Sequence, residues 1–132
     1  MTGVIDVSGA MEILLQKEKA EKFSAILKTA TLVLAPDLYI SELTNTLWKY
    51  LRASVFTKDE CVQCIHDGIN FADKYINSKE LWQEAFSEGI NNNHSIYDMF
   101  YMVTARRNDG IIITNDSILA AICKTNNIQV CY

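Results

Sequence analysis

Residues 110–116 read Gly-Ile-Ile-Ile-Thr-Asn-Asp, a short β-branched run that stops on a hydroxyl, an amide and a carboxylate. Three other segments have a similar character: Gly3–Val7, Thr31–Ala35 and Ile128–Cys131. Short, nearly all-apolar strands separated by helices are the signature of a parallel sheet covered on both faces. Between them, apolar spacing predicts helices over 8–16, 18–29, 37–53, 57–75, 78–91, 95–108 and 117–125. Thr57 with Glu60 and Asn77 with Glu80 have capping-box or closely related spacing, and Asp37 follows Pro36, the single proline. The expected architecture is three-layer α/β/α, with a central parallel sheet of four to five short strands. Thr57 to Asn93 is expected to hold two or three helices without an intervening strand, forming a helical arm across one side.

The 132 residues are 49% hydrophobic and 21% charged, enough to bury one continuous core over 1–132 with a radius of gyration of about 14 Å. Twelve Lys and Arg against 16 Asp and Glu give a net charge of -4, which argues against attachment to nucleic acid by bulk positive charge and leaves room for a local basic patch. No apolar run reaches the length of a membrane span and the N-terminus lacks the features of an export signal, so the chain reads as cytoplasmic, with no membrane role. Cys61, Cys64, Cys123 and Cys131 are then expected to be reduced thiols. The Cys61-x-x-Cys64 pair followed by His66 lacks the second pair that a structural zinc site requires.

In open α/β sheets, ligands gather beyond the carboxyl ends of the strands, where strand order reverses. Asp6 ends the first apolar run and Asp116 follows the Ile-Ile-Ile-Thr run, so parallel strands put both on one edge of the sheet. Glu42 lies on the helix after the second strand, where Glu42, Asn45, Lys49 and Arg52 fall within about 80° of one another and form a polar stripe. Asp98 sits among Ile96, Tyr97, Met99, Phe100, Tyr101, Met102 and Val103, on a helix apolar all round and therefore expected to be buried. A lone buried carboxylate costs several kcal/mol without a compensating partner. Each acid also has a plainer reading: Asp116 as a helix cap, Asp98 in a capping box with Ser95, Glu42 as a solvated helix residue, Asp6 as a turn acid. Together they are four acids where a doubly wound sheet assembles a site, and a hard divalent cation such as Mg²⁺ or Mn²⁺ suits an all-oxygen set of ligands. Metal-assisted phosphodiester hydrolysis is the chemistry such a set serves.

The segments Val4-Ile5-Asp6-Val7-Ser8, Ala35-Pro36-Asp37-Leu38-Tyr39-Ile40-Ser41-Glu42, Ser95-Ile96-Tyr97-Asp98 and Ile113-Thr114-Asn115-Asp116, in this order and spacing, resemble the PIN domain family, in particular its VapC-type toxin ribonucleases. The resemblance runs essentially end to end and implies one PIN domain over 1–132. It implies that Asp6, Glu42, Asp98 and Asp116 are the catalytic and metal-holding acids, with Asp6 and Asp116 the strongest direct ligands. It further implies that Ser8, Asn45 and Thr114 support them. The implied activity is hydrolysis of RNA by a metal-activated water, with a homodimeric toxin restrained by a small cognate antitoxin.

Lys49 and Arg52 on the Glu42 stripe, and Arg106 and Arg107 at the end of the Asp98 helix, are the candidate RNA contacts. Helix C-termini also favour Arg for electrostatic reasons alone. His94, four residues before Asp98, reads either as a residue at the mouth of the site or as a polar loop histidine. Two other functions compete: a PIN-type nuclease acting in RNA processing or on DNA without an antitoxin, and a non-catalytic binding module. A phosphoacceptor receiver domain is disfavoured, because no lone acceptor Asp after a central strand is matched by a Lys after a later one.

Overall fold

The computed structural model describes all residues, 1–132. In chain order the elements are β1 (Thr2–Ile5), α1 (Val7–Leu14), α2 (Ala20–Thr29), β2 (Leu32–Pro36), α3 (Leu38–Arg52), α4 (Lys58–Ile69), β3 (Lys74–Ile76), α5 (Ser78–Asn92), α6 (Ile96–Arg107), β4 (Gly110–Ile113), α7 (Ser117–Thr125) and β5 (Val130–Cys131). All five strands are parallel, in the order β3-β2-β1-β4-β5. The three-layer α/β/α expectation holds.

Connectivity decides the layers. From β1 the chain steps outward through β2 to β3, then crosses back over the sheet to β4 and continues to β5. Right-handed crossovers in opposite directions put their helices on opposite faces. Consistently, α1 touches α2, α3 and α4, whereas α6 lies against β1, β2 and β4 and packs on α5. The strand centres Ile5, Leu34, Ile112 and Ile113 are buried between Leu43 and Leu47 of α3, Met99 and Met102 of α6, Phe23 of α2 and Leu119 of α7, all within one core cluster. Strand order reverses between β1 and β4, so their carboxyl ends form the crevice where a doubly wound sheet accepts ligands.

The helical arm departs from expectation. The helix expected over 57–75 ends at Ile69, and β3 interrupts the region that was to contain helices alone. Lys74-Tyr75-Ile76 is three residues long, without alternation or an apolar run, so its own sequence carries little strand signal. Tertiary partners make it a strand: the Asp73 amide donates to the Val33 carbonyl at 2.8 Å, the Asp73 carboxylate accepts from the Val33 amide at 2.7 Å, and the Asp37 amide donates to the Ile76 carbonyl at 2.8 Å. The first strand also stops at Ile5 instead of Val7, because Asp6 already caps α1. Thr57 and Glu60 make the full capping box. Asp37 makes no cap to α3; its carboxylate accepts from the Ser78 amide at 3.2 Å and the Ser78 hydroxyl at 2.5 Å, anchoring the start of α5.

Gly9, in the first turn of α1, lets that helix rest on the end of β4. A Cβ there would stand 2.5 Å from the Ile113 carbonyl oxygen, a backbone atom that cannot swing aside. Gly9→Ala is therefore expected to destabilise the protein by about 1–3 kcal/mol, the usual range for forcing a methyl into a packed site. Urea unfolding followed by circular dichroism measures this, and an unchanged midpoint would refute the close approach.

Candidate functional site

Three of the four acids converge at the carboxyl edge of the sheet. Asp6 is the N-cap of α1 and its residue is 6% exposed. Its Oδ1 accepts from the Ser8 hydroxyl and the Gly9 amide, both at 2.7 Å, and its Oδ2 accepts from the Thr114 hydroxyl. Each hydroxyl carries one proton and gives it to Asp6. Ser8 and Thr114 lie 3.1 Å apart and in turn accept the amides of Asn115 at 2.8 Å and Asp116 at 3.0 Å. The support expected from Ser8 and Thr114 is thus present as a directed set of donors.

Burial outweighs these donors. The Asp6 carboxyl is pushed from its ordinary 3.8 up to about 6, chiefly by desolvation, with the nearby charge of Asp98 adding to the rise. Glu42, half-buried on α3, is raised for the same two reasons: desolvation first, then Asp98. Tyr101, fully enclosed on α6, donates its hydroxyl to Glu42 Oε1 at 2.7 Å, and burial together with Glu42 holds the phenol far above its usual range, so it stays a donor. The same negative field reaches α7, where burial, Asp6 and Asp98 push the Cys123 thiol up to about 12. Asp98 therefore lies within electrostatic reach of both Asp6 and Glu42.

Asp98 differs from its expected state. Helix α6 is buried at Met99 and from Tyr101 to Ala105, but its first turn opens to solvent: Tyr97 is 66% exposed and the Asp98 side chain 27%. Ser95 makes no side-chain cap, so the capping-box reading of Asp98 is not realised. The partner of Asp98 is His94, whose Nε2 lies 2.6 Å from Oδ2. Asp116 does cap α7, with Oδ1 accepting from the amides of Ile118 at 2.9 Å and Leu119 at 3.1 Å.

The expected cations divide. Asn45, Lys49 and Arg52 are exposed along α3, and neither Lys49 nor Arg52 has a carboxylate partner within ion-pair distance; the Arg52 guanidinium lies 5.0 Å from the Trp48 ring centre. At the rise of an α-helix, Lys49 and Arg52 stand about 10 Å and 15 Å beyond Glu42. Arg106 and Arg107 are not brought to the acids. They lie about 12 Å or more along α6 from Asp98, next to the opposite edge of the sheet where β4 begins. Arg106 pairs with Glu84 at 2.9 Å and Glu88 at 3.4 Å, and Arg107 with Glu84 at 3.4 Å.

Sequence reasoning missed Tyr101, Asn115 and Glu12. Tyr101 follows Asp98 by three residues, one helical turn, and a buried phenol needs a hydrogen-bond partner. Glu12 is an acid 7% exposed on α1, accepting from the Asn115 side-chain amide at 2.8 Å. Its signal was the (i, i+4) spacing from Ser8.

The donor chemistry fits a hard divalent cation: four carboxylates, two of them raised by burial and by the nearby charge of Asp98. As the side chains stand, no three His, Cys, Asp or Glu residues are gathered closely enough to hold an ion. Asp98 and Asp116 are instead engaged by His94 and by the amides of α7.

The PIN domain family matches residues 4–125, from β1 through α7. The chain belongs to the PIN domain family. A relative of this PIN domain is Ribonuclease VapC3 of Pyrobaculum aerophilum, 26% identical over 119 residues that span 89% of this chain and 91% of that protein. Among solved structures, the crystal structure of PAE2754 from Pyrobaculum aerophilum superposes with a TM-score of 0.77 at 18% identity, covering 98% of this chain and 83% of that one. It shares the PIN fold. No helix of the PIN domain is long and apolar enough to cross a membrane.

The raised Asp6 carboxyl sets a pH dependence of known sign. Between pH 3.8 and about 6 the folded chain keeps a proton on Asp6 that the unfolded chain has lost, so stability falls as pH rises through that window. The shift corresponds to about 3 kcal/mol. In EDTA, Asp6→Asn should remove that part of the slope and exceed the wild type in thermal midpoint at pH 7.5. Parallel stability curves from pH 4 to 7.5 would contradict the assignment.

Proposed function

We propose that this PIN domain is a VapC-like endoribonuclease dependent on Mg²⁺ or Mn²⁺, acting as the toxin of a type II toxin-antitoxin pair. The observation that carries this reading is the Asp6 carboxylate. It is buried at the reversal of strand order, beside Asp98 and Glu42, with a negative charge that its three donors do not fully offset. Family membership and likeness to a protein named Ribonuclease VapC3 support the same chemistry.

In this reading Asp6, Glu42, Asp98 and Asp116 hold the cation. When bound, it supplies positive charge to the phosphate and acidifies water, allowing hydrolysis to 5′-phosphate and 3′-hydroxyl ends. The chain's own residues do the positioning. Ser8, Thr114 and the Gly9 amide fix the Asp6 carboxylate, and Tyr101 fixes that of Glu42. Asn45 extends the polar face of α3, and Lys49 and Arg52, free of carboxylate partners, contact the RNA backbone. Arg106 and Arg107, already paired with Glu84 and Glu88, are left out of that contact.

The homodimer and antitoxin contacts belong in this proposal to the helical arm. Trp82, Phe86 and Ile90 recur every four residues on α5, each more than half exposed.

A second reading, a non-catalytic binding module, has one observation in its favour: Asp98 and Asp116 are occupied by internal hydrogen bonds. Calorimetric titration with Mn²⁺ separates the two, since the module predicts no heat of binding.

Sequencing of RNA 5′ ends after brief expression without antitoxin tests the nuclease directly. New ends at one or a few sites are expected for the wild type, with cleavage reduced roughly 10²-fold or more in Asp6→Asn, as for removal of a group that stabilises the transition state electrostatically. EDTA should stop cleavage by purified protein and Mg²⁺ restore it. Identical end profiles in wild type and variant, with both proteins folded, would reject the nuclease reading.

A further inference from the structure

We propose that Glu12 is a positioning residue of the acid site, acting through Asn115. The inference rests on the nuclease reading and assigns a role to a residue outside the acid quartet. Glu12 is an acid 7% exposed in the middle of α1. A carboxylate in such a place is costly unless its oxygens are hydrogen-bonded, and both of these are. Oε1 accepts from the Asn115 side-chain amide at 2.8 Å and Oε2 from the backbone amide of Lys19, at the start of α2, at 3.2 Å.

Asn115 is the link between two residues of the site. Its own backbone amide donates to the Ser8 hydroxyl at 2.8 Å. On one side Thr114 gives its hydroxyl proton to Asp6; on the other the Asp116 amide donates to the Thr114 hydroxyl oxygen at 3.0 Å. Ser8 and Glu12 are one helical turn apart on the same face of α1, so α1 grips Asn115 twice, once by the backbone and once by the side chain. The side-chain amide of Asn115 has Glu12 as its one hydrogen-bond partner. Without Glu12, the loop from β4 to α7 keeps its backbone contact but loses the tie that fixes its rotation. The hydroxyl aimed at Asp6 and the carboxylate of Asp116 then lose their common reference.

This is the role of an outer partner that orients metal-holding groups, whose removal typically costs 10- to 100-fold in activity or metal affinity. Two measurements test it together: steady-state cleavage of the mapped RNA, and hydrogen exchange of the Asn115 and Asp116 amides in protein without RNA or metal. Glu12→Ala is expected to lower kcat about 10- to 100-fold with KM changed by no more than about twofold. Protection of those two amides should fall while that of β1 and β4 amides stays. Glu12→Gln, which retains an acceptor oxygen for Asn115, should recover most of the rate. An unchanged kcat in Glu12→Ala overturns the proposal, as does a loss of kcat with undiminished protection at Asn115 and Asp116. Should Glu12→Ala fail to fold, Asn115→Ala cuts the same tie from the loop side and is judged by the same two readouts. If the wild type cleaves no RNA the nuclease reading fails, and the exchange measurement alone then upholds or overturns the tie between Glu12 and Asn115.

Discussion

The structure depends on one expensive placement: a carboxylate, Asp6, almost fully buried at the junction of β1, β4 and α1. Water is replaced there by three donors, two of which are hydroxyls already accepting amides from the loop after β4. The direction of every proton in this cluster is therefore fixed by the carboxylate, and the two central strands are joined at their ends by side chains as well as by backbone. The close approach of α1 to Ile113 that Gly9 allows is the geometric condition for it. A longer first strand, or a side chain at position 9, would carry the Gly9 amide and the Ser8 hydroxyl away from Asp6.

Helix α6 shows how the other carboxylates are arranged about that centre. One turn separates Asp98 from Tyr101, and the two take opposite parts: Asp98 raises the proton affinity of Glu42 by repulsion, and Tyr101 lowers it by donation. Desolvation prevails, with repulsion adding to it, so Glu42 and Asp6 are both displaced toward protonation. Loss of water around the charge is the main cause, the neighbouring Asp98 adds to it, and no counter-charge offsets either. The protein's own cations do not supply it. Arg106 and Arg107 are spent on Glu84 and Glu88 at the far end of α6.

Sheet, layers and the location of the acids were legible in the sequence because they follow from strong, local signals. The Ile111-Ile112-Ile113 run can only be a buried strand in this setting, and four such runs order the chain. Asp6 and Asp116 were legible because a parallel sheet sends every strand end to one edge. What failed was the part decided by tertiary contact. Strand β3 exists because Asp73, just before it, bonds the Val33 backbone of β2 and the Asp37 amide bonds the Ile76 carbonyl, a choice invisible in Lys-Tyr-Ile. The burial of Asp98 was overstated because an apolar composition does not reveal that the first turn of α6 is open to solvent. The ion pairs of Arg106 and Arg107 were not legible because Glu84 and Glu88 lie about twenty residues away on another helix.

The distribution of polar groups through the rest of the molecule sharpens the contrast. No buried side-chain oxygen or nitrogen lacks a hydrogen-bond partner, so the interior is locally consistent, as a sequence with one well-defined native state requires. The conflict is electrostatic and confined to one edge of the sheet. Hydrogen bonds there are complete, yet Asp6 and Glu42 remain raised, which means geometry has been satisfied at the expense of charge. Stability alone would be better served by an amide at position 6, which keeps the shape and drops the charge. Retaining the carboxylate among oriented donors therefore keeps at this edge a charge that burial disfavours, and the proposed cation is the group that would neutralise it.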